Sequence, residues 1–152
     1  MITIKPVDES SVEACASLKC APDQLQFTNS PIWTLLEAAY TPLRQHCGVY
    51  AVCTEDTVVG MVRLDFTLHE GFYEFTNLLI DQAHQRKGYA SEAIRQIIAL
   101  FRRDGRFSLL RIHAAPDNTS AIRLYEKLGF SFSGKTEDGV FAVYQYSLQD
   151  GS

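Results

Sequence analysis

The sequence predicts an α/β (α+β) fold in which a mixed, mostly antiparallel twisted sheet of about six to seven strands is flanked by about four helices. Three observations favour this fold. Strand and helix patterns alternate along the chain and are separated by short turn signals. In the middle of the chain an amphipathic helix pattern stands between two strand patterns, which predicts a central right-handed βαβ crossover with parallel strands. The remaining strands are joined by short turns, which are typical of antiparallel hairpins.

The central crossover is predicted by residues 73–115. Residues 73–81 are mostly aromatic or branched, and their apolar run at 78–80 is typical of a strand buried on both faces. A second strand is predicted at 109–115. Between the two strands, apolar residues recur at the spacing of one helix face, and Asp104–Gly105 is a stop signal for that helix. The apolar face consists of Ala90, Ala93, Ile94, Ile97, Ile98 and Phe101.

The segment before the crossover begins with a strand and two helices. Residues 3–7 have a strand pattern, after which Asp8 or Ser10 can cap a short helix. Ser30–Pro31 supplies an N-cap and a proline at the first position of a second helix. Thr41–Pro42 ends that helix, because the residue before a proline is disfavoured in the helical conformation.

Two hairpins complete the predicted sheet. Residues 48–54 and 57–67 are rich in branched and aromatic side chains and are joined by a tight turn. A further turn leads into the first strand of the crossover, so that three antiparallel strands precede the long helix. After the crossover a last helix is closed by Gly129, and a terminal hairpin follows at 130–135 and 140–148.

The composition predicts one soluble globular domain over residues 1–152, since 46% of the residues are apolar and 21% are charged. The net charge of −4 gives no general attraction to nucleic acid and better suits a cationic substrate. No run approaches the roughly 18 apolar residues of a membrane span, and the N-terminus lacks the apolar core of a signal peptide. We therefore expect a cytoplasmic protein that binds neither nucleic acid nor a membrane.

The four cysteines do not form the paired spacing of a zinc site. In a reducing cytosol they are expected to stay free thiols, and we interpret all four as inert packing residues. No metal is expected. These residues are Cys15, Cys20, Cys47 and Cys53.

A polar, basic junction connects the first crossover strand to the long helix. The start of a helix presents unpaired backbone N–H groups and the positive end of the helix dipole, and two cations add charge there. This arrangement predicts a pyrophosphate-binding loop. The chain contains neither a P-loop nor a Gly-x-Gly-x-x-Gly dinucleotide motif. The loop consists of Gln85, Arg86, Lys87, Gly88, Tyr89 and Ala90.

A second motif lies further along the chain and reads Asn118-x-x-Ala121-x-x-Leu124-Tyr125-x-x-Leu128-Gly129-Phe130. Together the two segments resemble the Gcn5-related N-acetyltransferase (GNAT) superfamily. Its acyl-coenzyme A loop has the form Gln/Arg-x-x-Gly-x-Gly/Ala, and its late helix typically reads Asn-x-x-Ala-x-x-Leu-Tyr-x-x-x-Gly-Phe. One departure is Ala90 in place of the commoner second glycine. The resemblance is strong over residues 73–130, and the order of elements extends it to the whole chain.

The resemblance implies acetyl-CoA as co-substrate and assigns its contacts by position. The end of the first crossover strand matches the strand whose backbone pairs with the pantetheine amides, and the basic loop matches the pyrophosphate loop. The residue that opens the late helix matches one that hydrogen-bonds the cofactor. Arg123 and Lys127 could reach the nucleotide phosphates or could equally form a solvated helix face. The implied cofactor-binding residues are Leu78, Leu79, Ile80, Gln85, Arg86, Lys87, Gly88, Tyr89, Ala90 and Asn118.

Catalysis by such an enzyme needs two proton movements, because the amine must lose a proton before attack and the departing thiolate gains one. Tyr125 matches the tyrosine that in many relatives is the general acid, although it could be a core residue. Glu74 lies where several relatives place a catalytic glutamate, but a solvent-facing strand carboxylate or a base acting through water is an equal alternative. We expect His113 to be a packed strand residue and His84 a loop residue.

Within the superfamily the pattern is most similar to the bacterial spermine/spermidine (diamine) N-acetyltransferases, mainly through Gln24-x-x-Phe27 before the second helix. This similarity implies acetyl transfer to a primary amine, such as spermidine or spermine, by direct attack in a ternary complex. Alternative acceptors are a protein N-terminus, a lysine or an aminoglycoside, and a different class of function is a non-catalytic acyl-CoA-binding module. A homodimer is possible. Carboxylates expected near the acceptor entrance, or merely solvating loop ends, are Glu37, Asp65, Glu70, Glu74 and Asp81.

Overall fold

The computed structural model describes residues 1–149, which form seven strands and four α-helices. The predicted mixed sheet flanked by four helices is therefore confirmed. None of the helices in this range is long and apolar enough to cross a bilayer. In chain order the elements are β1 (Thr3–Pro6), α1 (Val12–Ala16), α2 (Pro31–Tyr40), β2 (Cys47–Cys53), β3 (Val58–Asp65), β4 (Tyr73–Ile80), α3 (Tyr89–Asp104), β5 (Leu109–Ala114), α4 (Thr119–Lys127), β6 (Ser131–Lys135) and β7 (Ala142–Ser147).

The strands form a single sheet in the order β1-β2-β3-β4-β5-β7-β6. Among the described strands β4 and β5 are the one parallel pair, as the crossover pattern predicts. They pair only over Tyr73–Leu110 and Glu74–Arg111, and beyond these residues the two strands separate. The separation opens a wedge-shaped gap between β4 and β5 in the middle of the sheet.

A β-bulge in β4 decides which side chains face α3. Asn77 has a positive φ of 54°, and the register with β3 changes from Arg63–Thr76 to Met61–Leu79, so β4 carries one extra residue. The alternation of side chains along β4 is therefore reset at the bulge. The β4 side chains that pack in the apolar core clusters with α3 are Tyr73 and Phe75 before the bulge, and Leu78 and Ile80 after it.

The long helix α3 buries the apolar face that its sequence pattern predicts. Ile94 and Ile97 are fully buried, and Phe101 stacks on Tyr73 with ring centroids 4.4 Å apart. Gly105 at its C-terminal end adopts the left-handed conformation with φ 72°, as expected for a helix stop. This helix covers the centre of the sheet and fixes the position of the loop that precedes it.

The helix starts were predicted correctly for α2 but not for α1. The Ser30 hydroxyl accepts a hydrogen bond from the Trp33 N–H at 3.1 Å, which makes Ser30 the N-cap of α2. At α1 the N-cap is Ser11, rather than Asp8 or Ser10. The Asp8 carboxylate instead accepts the Ser10 N–H at 2.8 Å, because it closes a local turn before the helix begins.

Gly60 of β3 has no room for a side chain beside β4, and replacing it by alanine should destabilise the fold. A Cβ atom there would collide with the Leu79 carbonyl oxygen and lie 2.9 Å from Ile80 Cδ1. We expect Gly60→Ala to lower the free energy of unfolding by roughly 1–3 kcal/mol, as overpacking does. Urea denaturation measures this loss. Gly48→Ala is the control, since its Cβ would meet only the movable Tyr50 ring at 3.3 Å; an equal loss in both variants would contradict the prediction.

Candidate active site

The wedge between β4 and β5 is the floor of a cleft of about 800 Å³. Its walls are the bulge of β4, the loop before α3, the first turns of α4 and the loop at residues 23–29 between α1 and α2. Because β4 and β5 have parted here, some of their backbone N–H and C=O groups have no partner in the sheet. The cleft therefore offers main-chain hydrogen-bonding groups as well as side chains to a ligand.

Most of the predicted cofactor-binding residues line this cleft. Two do not. The Leu79 side chain packs on the other face of the sheet, against Cys15 and Met61, because the bulge resets the alternation. The Lys87 side chain is exposed outside the lining. Those that line the cleft are Leu78, Ile80, Gln85, Arg86, Gly88, Tyr89, Ala90 and Asn118.

The loop before α3 has the conformation of an anion-binding turn. Arg86 and Gly88 both have positive φ, of 64° and 78°, which curls the backbone toward the cleft. The Gln85 amide donates to the Ile80 carbonyl oxygen at 3.0 Å and ties the loop to the end of β4. The first helical bond runs from Glu92 N–H to the Gly88 carbonyl, so the N–H groups before Glu92 have no helical partner. Free N–H groups, the helix dipole and the Arg86 charge fit a diphosphate.

Asn118 opens α4 and lies on the same cleft. Its side-chain oxygen accepts the Ala121 N–H at 3.4 Å and so caps the helix. This bond uses the side-chain oxygen and leaves the amide nitrogen free to donate to a ligand. The predicted contact of Asn118 with the cofactor is compatible with this geometry and stays a prediction.

Tyr125 combines both of the roles that the sequence left open. Its ring packs against Phe75 and Phe130, with centroids 6.2 and 5.8 Å apart, as a core residue would. It also lines the cleft, and its hydroxyl has no hydrogen-bond partner among the described residues. Burial raises the pKa of Tyr125 to about 12. The phenol is therefore protonated at neutral pH and able to donate a proton into the cleft.

Glu74 is a buried carboxylate, not a solvent-facing one. It is 5% exposed, and it lies outside the described lining of the cleft. One oxygen pairs with His69 Nε2 at 2.8 Å, and the other lies 3.5 Å from His113 Nδ1. Its predicted role as proton acceptor stays untested, and in the structure a second titratable group stands between it and the cleft.

The titratable group between Glu74 and the cleft is His113, which the sequence analysis wrongly predicted to be a packed strand residue. Its side chain is 40% exposed, lines the cleft and stacks on Phe141 at 6.3 Å. Thr76 was also missed; it lines the cleft, and its buried hydroxyl has no partner among the described residues. The signal available was the alternation of β5, but its use required the register of β5 against β4, which pairs Glu74 with Arg111 and which the sequence pattern does not specify.

Three of the carboxylates predicted near an acceptor entrance are held by partners within the chain. Arg63 donates to both oxygens of Asp65, at 2.9 and 3.0 Å, and to Glu37 at 2.9 Å. Asp81 accepts two backbone N–H groups, at 2.8 and 3.1 Å. None of these three lines the cleft as described. These contacts weaken the expectation that the three acids are available to an acceptor, which stays a prediction, while Glu70 is exposed and free of these contacts.

The buried acids also bear on metal binding. Asp65, His69 and Glu74 each offer a ligand atom, and these atoms lie within 4.8 Å of one another. Burial raises the pKa of Asp65, although its ion pair with Arg63 acts in the opposite direction. Because the Arg63 guanidinium already occupies both Asp65 oxygens, a metal ion here would meet a fixed positive charge. The donor set does not fit a metal.

Comparison with known proteins identifies the family. The sequence model described as "Acetyltransferase (GNAT) family" matches residues 13–130. The chain is 32% identical to N-acetyltransferase 8 of Homo sapiens over 87 residues, which are 55% of this chain and 38% of that protein. It is 30% identical to the probable N-acetyltransferase YjcK of Bacillus subtilis (strain 168) over 96 residues, 59% of this chain and 49% of that protein. The chain thus spans less than half the length of these curated relatives.

Solved structures share the whole fold at low identity. The ribosomal-protein-S18-alanine N-acetyltransferase of Escherichia coli superposes with a TM-score of 0.72 at 17% identity, covering 100% of this chain and 97% of that one. The aminoglycoside acetyltransferase AAC(6')-Ib, in complex with coenzyme A, gives 0.77 at 18% identity, with coverages of 97% and 95%. Since the family match also spans most of the sequence, including the basic loop and the late helix, the chain belongs to the acetyltransferase (GNAT) family.

Proposed function

We propose that this protein is an acetyl-CoA-dependent N-acetyltransferase that acts on a primary amine. The main observation in support of this proposal is the set of groups that line the cleft. It brings together the free N–H groups and the Arg86 charge of a diphosphate site with the protonated hydroxyl of Tyr125. Family membership supports the same activity, and the related structures include complexes with coenzyme A and with acetyl-CoA.

The co-substrate would be held along the length of the cleft. The loop from Gln85 to Ala90 would bind the diphosphate, and the parted edge of β4 at residues 78–80 would pair with the pantetheine amides. The Asn118 amide would donate to the same ligand. Bound acetyl-CoA supplies an activated acetyl thioester. The chain's own part is to orient that thioester and to move protons at the two reacting atoms.

Direct attack by the amine is favoured over an acetyl-cysteine route. Burial raises the pKa of Cys15 and of Cys47 to about 11, so both are thiols at neutral pH. The pKa of Cys53 is also raised by burial. No cysteine is among the described residues that line the cleft. A ternary complex of enzyme, acetyl-CoA and amine therefore needs no covalent enzyme intermediate.

The identity of the acceptor amine is a separate question, and a polyamine such as spermidine stays our prediction. The net charge of −4 and the exposed Glu70 support it. The internal pairing of the other carboxylates weakens the case for multipoint binding. Phe27 and Phe141 on the cleft wall favour amines with an apolar part. A solved relative is a complex with kanamycin, so aminoglycosides and peptide N-termini belong in the same comparison.

An amine panel tests the function and the acceptor together. Thiol release from acetyl-CoA is measured with polyamines, monoamines, aminoglycosides and peptide N-termini. We expect release only when an amine is present, with spermidine more efficient than a monoamine and its advantage reduced at high salt. Glu70→Gln should reduce that advantage through KM. Binding of acetyl-CoA without turnover on any amine would indicate a non-catalytic binding module, and a thiol burst without amine would indicate a covalent intermediate.

Two further features stay predictions. A homodimer would have a natural surface on α2, where Ile32, Trp33, Leu36 and Tyr40 are exposed. A cytoplasmic location is consistent with the four free cysteines. Neither feature is required for the reaction proposed here.

A further inference from the structure

A buried carboxylate lies between two histidines on the sheet face opposite α3. Glu74 of β4 pairs in register with Arg111 of β5, and His113 lies two residues further along β5, on the same face. The Glu74 oxygens lie 2.8 Å from His69 Nε2 and 3.5 Å from His113 Nδ1. Of the three groups, His113 alone is among the described residues that line the cleft.

We propose that His113 is the group that accepts the proton of the acceptor amine, with Glu74 as the residue that positions it. This inference rests on the proposed function. Its geometric basis is that Nδ1 faces the buried carboxylate, which leaves Nε2 as the basic nitrogen available to the cleft. At 3.5 Å the anion favours the tautomer with its proton on Nδ1, and it offsets the charge of the imidazolium once it forms. The Glu74 carboxylate itself does not touch the substrate.

The proton balance of the reaction assigns a role to each group. The ammonium gives one proton to His113 Nε2, and the freed amine nitrogen forms a bond to the thioester carbonyl carbon. When the C–S bond breaks, the thiolate takes the Tyr125 proton. The second proton of the attacking nitrogen restores the Tyr125 phenol, and the proton on His113 passes to solvent. One amide, one free thiol and one released proton result, so no further reactant is needed.

The surroundings of His113 favour a transient positive charge. Glu74 faces it from β4. Asp138 in the turn between β6 and β7 also acts on it: the Asp138 pKa is lowered mainly by hydrogen bonds from the Thr136 hydroxyl and the Val140 N–H, and to a smaller extent by His113. Arg111, two residues away on β5, is the opposing cation, and it is turned onto the Phe72 ring at 4.8 Å. Phe141 covers one face of the imidazole. The anions Glu74, whose other oxygen pairs with His69, and Asp138 therefore act on His113 against the Arg111 cation, which is directed onto Phe72.

The test compares His113→Gln with the wild type on two amines of similar size, ethylamine and trifluoroethylamine. Ethylamine is an ammonium at neutral pH, whereas trifluoroethylamine is already a free amine and needs no base. We expect kcat with ethylamine to fall roughly 100- to 10,000-fold, with a much smaller loss for trifluoroethylamine and an unchanged thermal shift with acetyl-CoA. His46→Gln, whose histidine bonds Thr67 away from the cleft, should keep wild-type activity.

Glu74→Gln gives an independent readout. It keeps the volume of the side chain but removes the counter-charge, so kcat should fall while KM for the amine changes little. The acidic limb of the pH–kcat/KM profile should move to lower pH, because the imidazolium is less stabilised. Equal losses on both amines in His113→Gln, or full activity with ethylamine, would overturn the inference and leave the acetyltransferase intact. Absence of turnover by the wild type on every amine would overturn the proposed function itself.

Discussion

Tyr125→Phe should lower kcat by roughly ten- to ten-thousandfold while leaving acetyl-CoA binding intact, the range expected when a general acid is removed. The ring would keep its packing against Phe75 and Phe130, so the fold should be preserved. Only the hydroxyl is lost. Since its pKa is raised to about 12, that hydroxyl carries its proton throughout the neutral range, and no loss of acid function is expected until strongly alkaline pH. Steady-state kinetics with the best amine of the panel measure the effect.

Tyr144→Phe is the matched control for this variant. Tyr144 is also buried, its ring lies 6.5 Å from that of Tyr125, and it is outside the described lining of the cleft. It should change melting temperature about as much as Tyr125→Phe does, but leave kcat unchanged. Wild-type turnover in Tyr125→Phe would show that the hydroxyl is not the proton donor. Loss of acetyl-CoA binding would show that it contacts the cofactor instead.

Gly88→Glu should abolish the thermal shift that acetyl-CoA produces. The side chain would project from the loop whose N–H groups form the diphosphate site, and its charge would repel the ligand. A second cost comes from the backbone, because φ is +78° at this position and a side chain there is strained by about 1–2 kcal/mol. Steric crowding does not contribute to this cost, since no atom lies within 4 Å of the added Cβ. Differential scanning fluorimetry with increasing acetyl-CoA measures the result.

The control for Gly88→Glu separates strain from charge. Gly71 has a similar φ of +88°, is equally open around its Cβ and lies outside the described lining of the cleft. Gly71→Glu therefore carries the same backbone strain and the same added charge. It should lose comparable stability but keep the full acetyl-CoA shift. Normal binding by Gly88→Glu would mean that the diphosphate lies elsewhere.

The sequence alone was sufficient for several features that depend on neighbouring residues, although not for the N-cap of α1. Ser30–Pro31 begins α2 and Gly105 ends α3, because caps and left-handed turns are decided within one helical turn. The parallel arrangement of β4 and β5 also followed from local pattern, since a strand, an amphipathic helix and a strand allow few other connections. The basic loop was recognisable for the same reason: its cations, its glycine and the helix start are contiguous in the chain.

The tertiary structure alone decided how β4 and β5 part and which side chains meet there. The bulge at Asn77 is invisible in the strand pattern, yet it turns Leu79 away from the cleft and Leu78 toward it. Glu74 and His113 come together only through the pairing of β4 with β5, and Arg63 of β3 meets Glu37 of α2 only in the folded chain. Contacts between distant segments depend on register and desolvation, which a one-dimensional pattern does not encode.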